Sequence, residues 1–266
     1  MRRSDHPRLP AELLLPAILA FLITGQLALQ AQATTQSASS ASPPFRSLAD
    51  LRAHVTPEDI GDSLLVRHRY QEAIQHYRKA SSDSSDVWDK MGIAYQMLSD
   101  LKDAGRCYKQ SLRLNPANEL AINNLATVFE LQGQYGKAEG LYRRALSLDP
   151  TSAKIAMNLG TILMIQSKYS QGSELYKRAL ALDPHVFEQP VGPVYESGIP
   201  IEQRGAMNFY KARHCAQAGM VDRAVKYLQK AISEGFTTPG KIARDSSFAA
   251  LHGNPAYEHL IAQRGD

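Results

Sequence analysis

One spacing constrains this 266-residue chain more than any other feature, because a pattern of small, aromatic and proline residues recurs every 34 residues. Its prolines mark the period at Pro116, Pro150 and Pro184. A tyrosine stands eight residues before each of these prolines. A fixed period of this length is typical of arrays in which each unit buries its apolar face only against its neighbours.

Each unit predicts two short amphipathic helices. In the first clear unit, apolar residues fall three or four apart over residues 88–98 and again over 101–114. Small residues at Gly92 and Ala104 allow the two helices to approach closely, and Tyr108 fills the space beyond them. Pro116 suits a helix stop that is followed by a new helix start.

The repeat resembles the tetratricopeptide repeat family. The residues of the first clear unit that carry the resemblance are Trp88, Met91, Gly92, Tyr95, Ala104, Tyr108, Ser111 and Pro116. Full copies occupy residues 85–118, 119–152 and 153–186, and altered copies occupy about 54–84 and 205–234. The resemblance implies an all-α fold: a right-handed α-solenoid of tetratricopeptide helix hairpins with a C-terminal helical cap. We expect the array over 45–234 and the capping segment over 235–266.

An insertion interrupts the array at residues 187–204. It is rich in proline and glycine, a composition that cannot continue a helix. The insertion is either a surface loop or an arm that folds back over the concave face or meets a partner. The apolar side chains available to such an arm are Phe187, Val191, Val194, Tyr195 and Ile199.

The N-terminal segment predicts export. Arginines precede an apolar run from Leu13 to Ile23, and Ala31 and Ala33 are small residues at the positions that a signal peptidase reads. The run is shorter than the roughly 20 residues that a membrane-spanning helix needs. We therefore expect a signal peptide over 1–33, with an uncleaved N-terminal anchor as the alternative.

The expected location follows from that segment. Residues 34–44 are Ser, Ala, Thr, Gln and Pro, a composition too poor in apolar side chains to pack, so they predict a flexible linker. An exported protein, periplasmic or secreted, is expected. If the segment is not cleaved, the protein is anchored in the inner membrane, and only then is a membrane contact expected.

The charge of the chain is nearly balanced, with 30 Lys and Arg against 26 Asp and Glu. Together with export, this disfavours nucleic acid as a partner. Basic pairs recur late in the second helices, at Arg78-Lys79, Arg143-Arg144 and Lys177-Arg178. They suit the negative end of a helix, and the alternative is a basic ridge for an acidic partner or an anionic surface.

The sequence offers no motif for catalysis, a metal or a cofactor. Its histidines lack metal-ligand spacing, and it contains neither a glycine-rich phosphate loop nor a nucleophile elbow. His214 and Cys215 are adjacent, but helix neighbours point about 100° apart. The remaining thiol, Cys107, lies on a distant repeat. We predict two free structural cysteines and a protein that is not an enzyme.

The candidate site is the concave groove that the first helices line in this family. There the residue just before the Leu of each first helix often points inward, which implies Lys90, Asn124 and Asn158. The neighbouring polar residues Asn123, Thr127 and Thr161 join them in the predicted peptide-binding groove. A ladder of asparagine amides can hold the main chain of an extended peptide. Alternatively, the asparagines only cap neighbouring backbone groups.

Apolar contacts with a bound segment are expected from Met97, Leu131, Met164 and Ile165.

These observations predict a non-enzymatic scaffold that binds a protein or an extended peptide segment in the cell envelope. The alternative is a membrane-anchored accessory subunit of an envelope enzyme, a cell-wall complex or a secretion complex. A third hypothesis is a small-ligand site under the 187–204 insertion.

Overall fold

Successive helical hairpins build the chain. The computed structural model describes residues 55–188 and 199–262. Its helices are α1 Pro57–Val66, α2 Tyr70–Tyr77, α3 Ser85–Met97, α4 Leu101–Leu114, α5 Glu119–Leu131, α6 Tyr135–Leu148, α7 Ala153–Ile165, α8 Tyr169–Leu182, α9 Ile201–Gln217, α10 Val221–Ser233, α11 Pro239–Arg244 and α12 Pro255–Ala262. Short 3-10 helices occupy Val186–Glu188 and Ser246–Leu251. Across these described residues all regular elements are helices, which confirms the all-α prediction. Each second helix packs against the first helix of the next hairpin, as in a solenoid.

The start of each full first helix is fixed by the same capping bond. Ser84, Asn118 and Ser152 are the N-caps of α3, α5 and α7. In each case the side-chain oxygen accepts a bond from the backbone N–H three residues later. Such a cap satisfies a backbone donor that the helix itself leaves unpaired. The caps recur with the repeat, so the helix starts are encoded in the sequence.

The turn inside each hairpin also repeats. Ser99, Gly133 and Ser167 adopt left-handed backbone conformations, with φ between 59° and 71°. The following residue donates a backbone bond to a carbonyl five residues earlier, over 2.8 to 3.0 Å. This is the Schellman geometry, for which glycine is the least strained residue. The turn therefore imposes the same reversal on every hairpin, even where serine replaces glycine.

The core of each hairpin is a buried tyrosine set against a small residue. Tyr108, Tyr142 and Tyr176 are completely buried. A Cβ atom built on Gly92 would lie 2.5 Å from the ring of Tyr108, so only glycine fits there without a shift of the ring. In the next repeat Ala126 takes the equivalent position, and both Ala126 and Tyr142 lie in the same core cluster. The close approach that the sequence predicted is present.

Arginines on the second helices link consecutive repeats. Arg144 donates to the carbonyl oxygen of Pro116 over 2.5 Å, and Arg178 donates to that of Pro150 over 2.5 Å. Both carbonyls belong to the turn that follows the preceding second helix. The recurring basic residues therefore join one repeat to the one before it.

The predicted insertion is shorter than 187–204. Helix α9 already begins at Ile201, directly after Pro200, whose restricted backbone suits a helix start. Phe187 is not part of a free arm, because its ring packs 5.3 Å from that of Tyr176 and 6.3 Å from that of Tyr227. Ile199 is also buried. The loop prediction is wrong at both ends, because apolar residues there complete the core.

Several predictions lie outside the described residues. They are the signal segment 1–33, the linker 34–44, the start of the array near residue 45, and the arm residues Val191, Val194 and Tyr195. Among the helices that the structure describes, none combines the length and the apolar character needed to cross a bilayer.

The last helices pack on the end of the array. The 3-10 helix 246–251 contacts α9, and α12 contacts α10. Phe248 and Tyr257 are completely buried there. These contacts cover the apolar side of the last hairpin, which has no further repeat behind it among the described residues.

The tyrosine packing can be tested at Gly92. We expect Gly92→Val to destabilise the protein by about 1–3 kcal/mol, because the larger side chain overlaps the ring of Tyr108. Gly140→Ala is the matched control, since a Cβ atom there meets open space within α6, and it should stabilise by about 0.5–1 kcal/mol. Urea unfolding curves measure both changes. Equal stabilities of the two variants would contradict the packing argument.

Candidate functional site: the first-helix face

The surface formed by α1, α3, α5 and α7, here the first-helix face, carries all the predicted groove residues. Lys90 on α3 reaches back to α1, where its Nζ lies 2.6 Å from Asp62 Oδ2 and 2.8 Å from Glu58 Oε1. Its side chain is 30% exposed. Lys90 therefore links two consecutive first helices by ion pairs and is already neutralised by two carboxylates.

Side-chain amides link α3 to α5 and α5 to α7 in a similar way. Asn124 Nδ2 donates to Asp89 Oδ1 over 3.2 Å, and Asn158 Nδ2 donates to Asn123 Oδ1 over 3.2 Å. Asn123 Nδ2 also donates to Asn124 Oδ1 over 3.4 Å. These four residues, Asp89, Asn123, Asn124 and Asn158, form what we call the amide ladder. They bond to one another's side chains rather than to backbone groups.

The two predicted threonines serve the buried tyrosines. The hydroxyl of Thr127 lies 2.9 Å from that of Tyr142, and the hydroxyl of Thr161 lies 3.0 Å from that of Tyr176. Thr161 is only 5% exposed, and Asn123 is only 4% exposed. These two side chains therefore support the face from beneath, whereas Asn124, Thr127 and Asn158 are half-buried and reach its surface.

On the first helices, sequence reasoning missed the burial of two carboxyl groups. Glu130 accepts a bond from the Tyr142 hydroxyl over 2.6 Å, and burial raises the pKa of Glu130 to about 8. Burial also raises the pKa of Asp89 to about 6, although the amide of Asn124 opposes that rise. Spacing could have revealed Glu130, because it stands four residues after Ala126 and eight after Ile122, on the apolar stripe of α5.

Exposed apolar side chains lie on α5 and at the end of α3. Leu120 is 60% exposed and Met97 is 54% exposed. Leu120 stands three and four residues before Asn123 and Asn124, so it shares their side of α5. Met164, also predicted to contact a ligand, is instead completely buried and packs against Gly172. That prediction is wrong, because a glycine on α8 leaves space that the flexible side chain fills.

The nucleophilic and basic side chains lie in packed positions. Cys107 and Cys215 are both free and buried, as predicted, and burial raises the pKa of their thiols to about 12 and about 11. His214 Nε2 lies 2.9 Å from the Ser173 hydroxyl, and burial lowers the pKa of His214. The two thiols pack in the core clusters, and His214 of α9 bonds to Ser173 of α8. Within the described residues, no group of His, Cys, Asp or Glu side chains has metal-binding geometry.

A comparison with known protein families identifies the same repeats as the structure does. The sequence model of the tetratricopeptide repeat matches residues 90–153 and, in an overlapping register, 126–186. These matches cover α4 to α8 and most of α3. Residues 90–186 are tetratricopeptide repeats. Proteins with such repeats are protein-interaction scaffolds that bind protein or peptide partners, and their fold is typically non-enzymatic.

Individual relatives are more distant. Over 86 residues the chain is 31% identical to Photosystem I assembly protein Ycf3 of Rippkaea orientalis, a match that covers 30% of this chain and 50% of that protein. The chain thus spans about half the length of the curated relatives that it matches. PilF of Pseudomonas aeruginosa superimposes with a TM-score of 0.50 at 18% identity, covering 78% of this chain and 96% of PilF. That likeness supports the solenoid fold alone. The crystal structure of MamA gives a TM-score of 0.48 at 21% identity, covering 66% of this chain and 94% of MamA.

The buried carboxyl groups predict a pH dependence of stability. Glu130 has a raised pKa in the folded state, so the folded protein binds more protons than the unfolded chain between about pH 4.5 and pH 8. Stability should therefore fall as the pH rises through that range, by at most about 1.4 kcal/mol per pH unit for this group. Asp89 acts in the same direction up to about pH 6.

Glu130→Gln should reduce the loss of stability that occurs as the pH rises. The variant keeps a polar group at the position but has nothing to titrate, so its free energy of unfolding should change less than that of the parent between about pH 6 and pH 8. Urea unfolding at several pH values measures the difference. The same slope in the variant and the parent would show that Glu130 ionises normally in the folded protein.

Proposed function

We propose that this protein is a scaffold that holds an extended segment of a partner protein against the first-helix face of residues 85–186. The observation that carries the proposal is the amide ladder, which crosses α3, α5 and α7 beside the exposed Leu120. A solenoid stacks such helices side by side, so a bound segment can cross several repeats.

The chemistry of the ladder suits a peptide main chain. Each side-chain amide has two N–H donors and an accepting oxygen, and each bond along the ladder uses one donor. Asn124 and Asn158 each keep a second donor, and both are half-buried rather than sealed in the core. Such groups can bond to main-chain groups with little dependence on sequence. The exposed Leu120 and Met97 supply apolar contact for the side chains of the same segment.

Asp89 within the ladder and Glu130 beside it are held in place by hydrogen bonds. Asp89 is held by Asn124, and Glu130 by Tyr142, so neither carboxyl group is free to swing toward a ligand. A rigid surface loses less conformational entropy when it binds. We infer that recognition depends on the half-buried amides and the exposed apolar groups, with the acids fixing their geometry.

Leu120 provides the sharpest test of this surface. Because its side chain is mostly exposed, Leu120→Asp should leave the unfolding curve nearly unchanged while it weakens binding of the partner about tenfold or more. The matched control is Leu148→Asp, since Leu148 is 46% exposed but lies at the end of a second helix. Pull-down from extracts of the native cell, compared across the three proteins, measures binding. Equal capture by Leu120→Asp and by Leu148→Asp would reject the first-helix face.

Asparagine substitutions answer a different question. Asn124→Ala removes the donor that holds the buried Asp89 carboxyl, so it should cost about 1–3 kcal/mol of stability. Loss of binding in that variant is informative only if its unfolding curve shows that it is folded at the temperature of the assay.

The location in the cell is part of the proposal. We infer that residues 1–33 direct export and that the scaffold works in the cell envelope, on the basis of the basic and apolar pattern of that segment. The relative Ycf3 is named as an assembly protein, which favours a partner that is itself part of a complex. The alternative is an accessory subunit of an envelope complex, anchored by an uncleaved segment.

Intact mass decides between the exported and the anchored forms. The protein purified from its native cell should have the mass of a chain that begins at Thr34, because Ala31 and Ala33 offer a cleavage site. A membrane fraction that holds the chain with residues 1–33 still attached would instead support the anchored accessory subunit.

A further inference from the structure

The first hairpin has a short second helix. Helix α2 contains 8 residues, whereas α4, α6 and α8 contain 14 each. Tyr77 of α2 packs against Gly61 as Tyr108 of α4 packs against Gly92, so the two helices are in the same register. Helix α2 ends at this tyrosine, whereas α4 continues to Leu114. The last turns of a second helix are therefore missing from the first repeat.

The first repeat also lacks a leucine that the last turns of the other second helices carry. Leu112, Leu146 and Leu180 each stand four residues after the tyrosine of their helix. Each contributes to an apolar cluster shared with the following element, as Leu146 does with Ile155 and Leu112 does with Leu125. Four residues after Tyr77 the chain has Ser81, which is exposed. The apolar residues of α3 thus receive no leucine from the preceding second helix.

A cavity of about 690 Å³ lies at that place, between the end of α2, α3 and α4. Trp88, Met91 and Cys107 contribute apolar surface to it. Trp88 is only half-buried, and its indole Nε1 donates to the carbonyl oxygen of Ser82 over 2.8 Å. We call this cavity the second-helix cleft, because it adjoins Arg78 at the early end of α2 and is lined by α4.

The remaining wall of the second-helix cleft is basic. Its charged lining comprises Arg78, Arg106, Lys109, Arg113 and a single carboxylate, Asp103. Arg106 lies 2.9 Å from Asp103 and Arg78 donates to the Tyr95 hydroxyl over 2.6 Å. Four cations against one anion, beside apolar side chains, complement a ligand that is acidic and carries an apolar group.

We propose that the second-helix cleft binds a short acidic segment of a partner protein, which inserts one leucine-sized side chain where the leucine of the first repeat is missing. The apolar side chain packs against Trp88 and Met91, and carboxylates of the segment pair with Arg106 and Arg113. The basic wall of the cleft lies on α4, a second helix, and its lining shares no residue with the amide ladder or with Leu120, so it can be tested separately from the first-helix face.

The spread of the charges favours a chain over a small anion. Arg106, Lys109 and Arg113 lie on one side of α4 over seven residues, a distance of about 10 Å along the helix. A single phosphate or carboxylate cannot reach both ends of that row, whereas a segment with several carboxylates can. The volume of about 690 Å³ also accommodates several side chains, so it fits a segment of polypeptide.

Trp88 makes the proposal directly measurable, because it is the only tryptophan in the chain. The probe is a synthetic 12-residue peptide in which one leucine is flanked by glutamates, titrated into the full chain while the tryptophan emission is followed. We expect a saturable change in emission that weakens as salt is added. A peptide with alanine in place of the leucine, and one with lysines in place of the glutamates, should each bind at least tenfold more weakly.

Charge reversal on α4 identifies the site. Arg106 and Arg113 are exposed, so Arg106→Glu with Arg113→Glu should preserve the circular dichroism spectrum and reduce peptide affinity at least tenfold. The matched control, Lys154→Glu with Lys177→Glu, reverses two exposed charges elsewhere and should bind as the parent does, as should Leu120→Asp. This last variant separates a failure of the cleft from a failure of the first-helix face.

Three results would overturn the proposal. They are unchanged Trp88 emission with every peptide, equal affinity in the α4 charge-reversal variant and the parent, and saturable energy transfer from Trp88 to 8-anilinonaphthalene-1-sulfonate that the acidic peptide does not displace. The last result would assign the second-helix cleft to a small aromatic anion instead.

Discussion

Close packing of a tyrosine on the facing helix holds each hairpin together, and the rest of the array depends on it. The rings of Tyr77, Tyr108 and Tyr176 lie where a side chain on the facing glycine would overlap them. A ring at this depth fixes the distance between two helices, since a core packed to crystal density has no space to absorb a shift. Each hairpin therefore presents nearly the same shape to the next one.

The same tyrosines determine which polar side chains remain for recognition. A buried hydroxyl needs a partner, and each ring directs its hydroxyl to the neighbouring first helix. Asp62, Gln96, Glu130 and Thr161 are the partners in successive repeats. Residues used in this way support the structure from within, so binding at the first-helix face is left to half-buried amides and exposed apolar groups. The function proposed here thus follows from how the core satisfies its own hydrogen bonds.

The candidate binding surfaces differ in how they relate to the repeat. The amide ladder follows from regularity, because equivalent side chains on successive first helices lie close enough to bond. The second-helix cleft follows from an irregularity, the early end of α2 at Tyr77, which removes the leucine that other repeats supply. Local departures from an otherwise consistent pattern are expected at functional sites, because a perfect array would close its own surfaces.

The sequence by itself determined the hairpins, their period and the isolation of Cys107 from Cys215. These features are local or periodic, so spacing along the chain is sufficient to predict them. Only the tertiary structure showed how deeply each side chain is buried and which residue it contacts. Thr161 and Met164 proved buried, Phe187 joined the core, and α9 began at Ile201 within the expected insertion. Periodicity assigns a residue to a helix face, but the helices packed against that face determine how much of it is covered and which side chain meets it. Those partners, such as Tyr176 for Thr161 and Tyr227 for Phe187, lie on other helices, so spacing along one helix does not predict them.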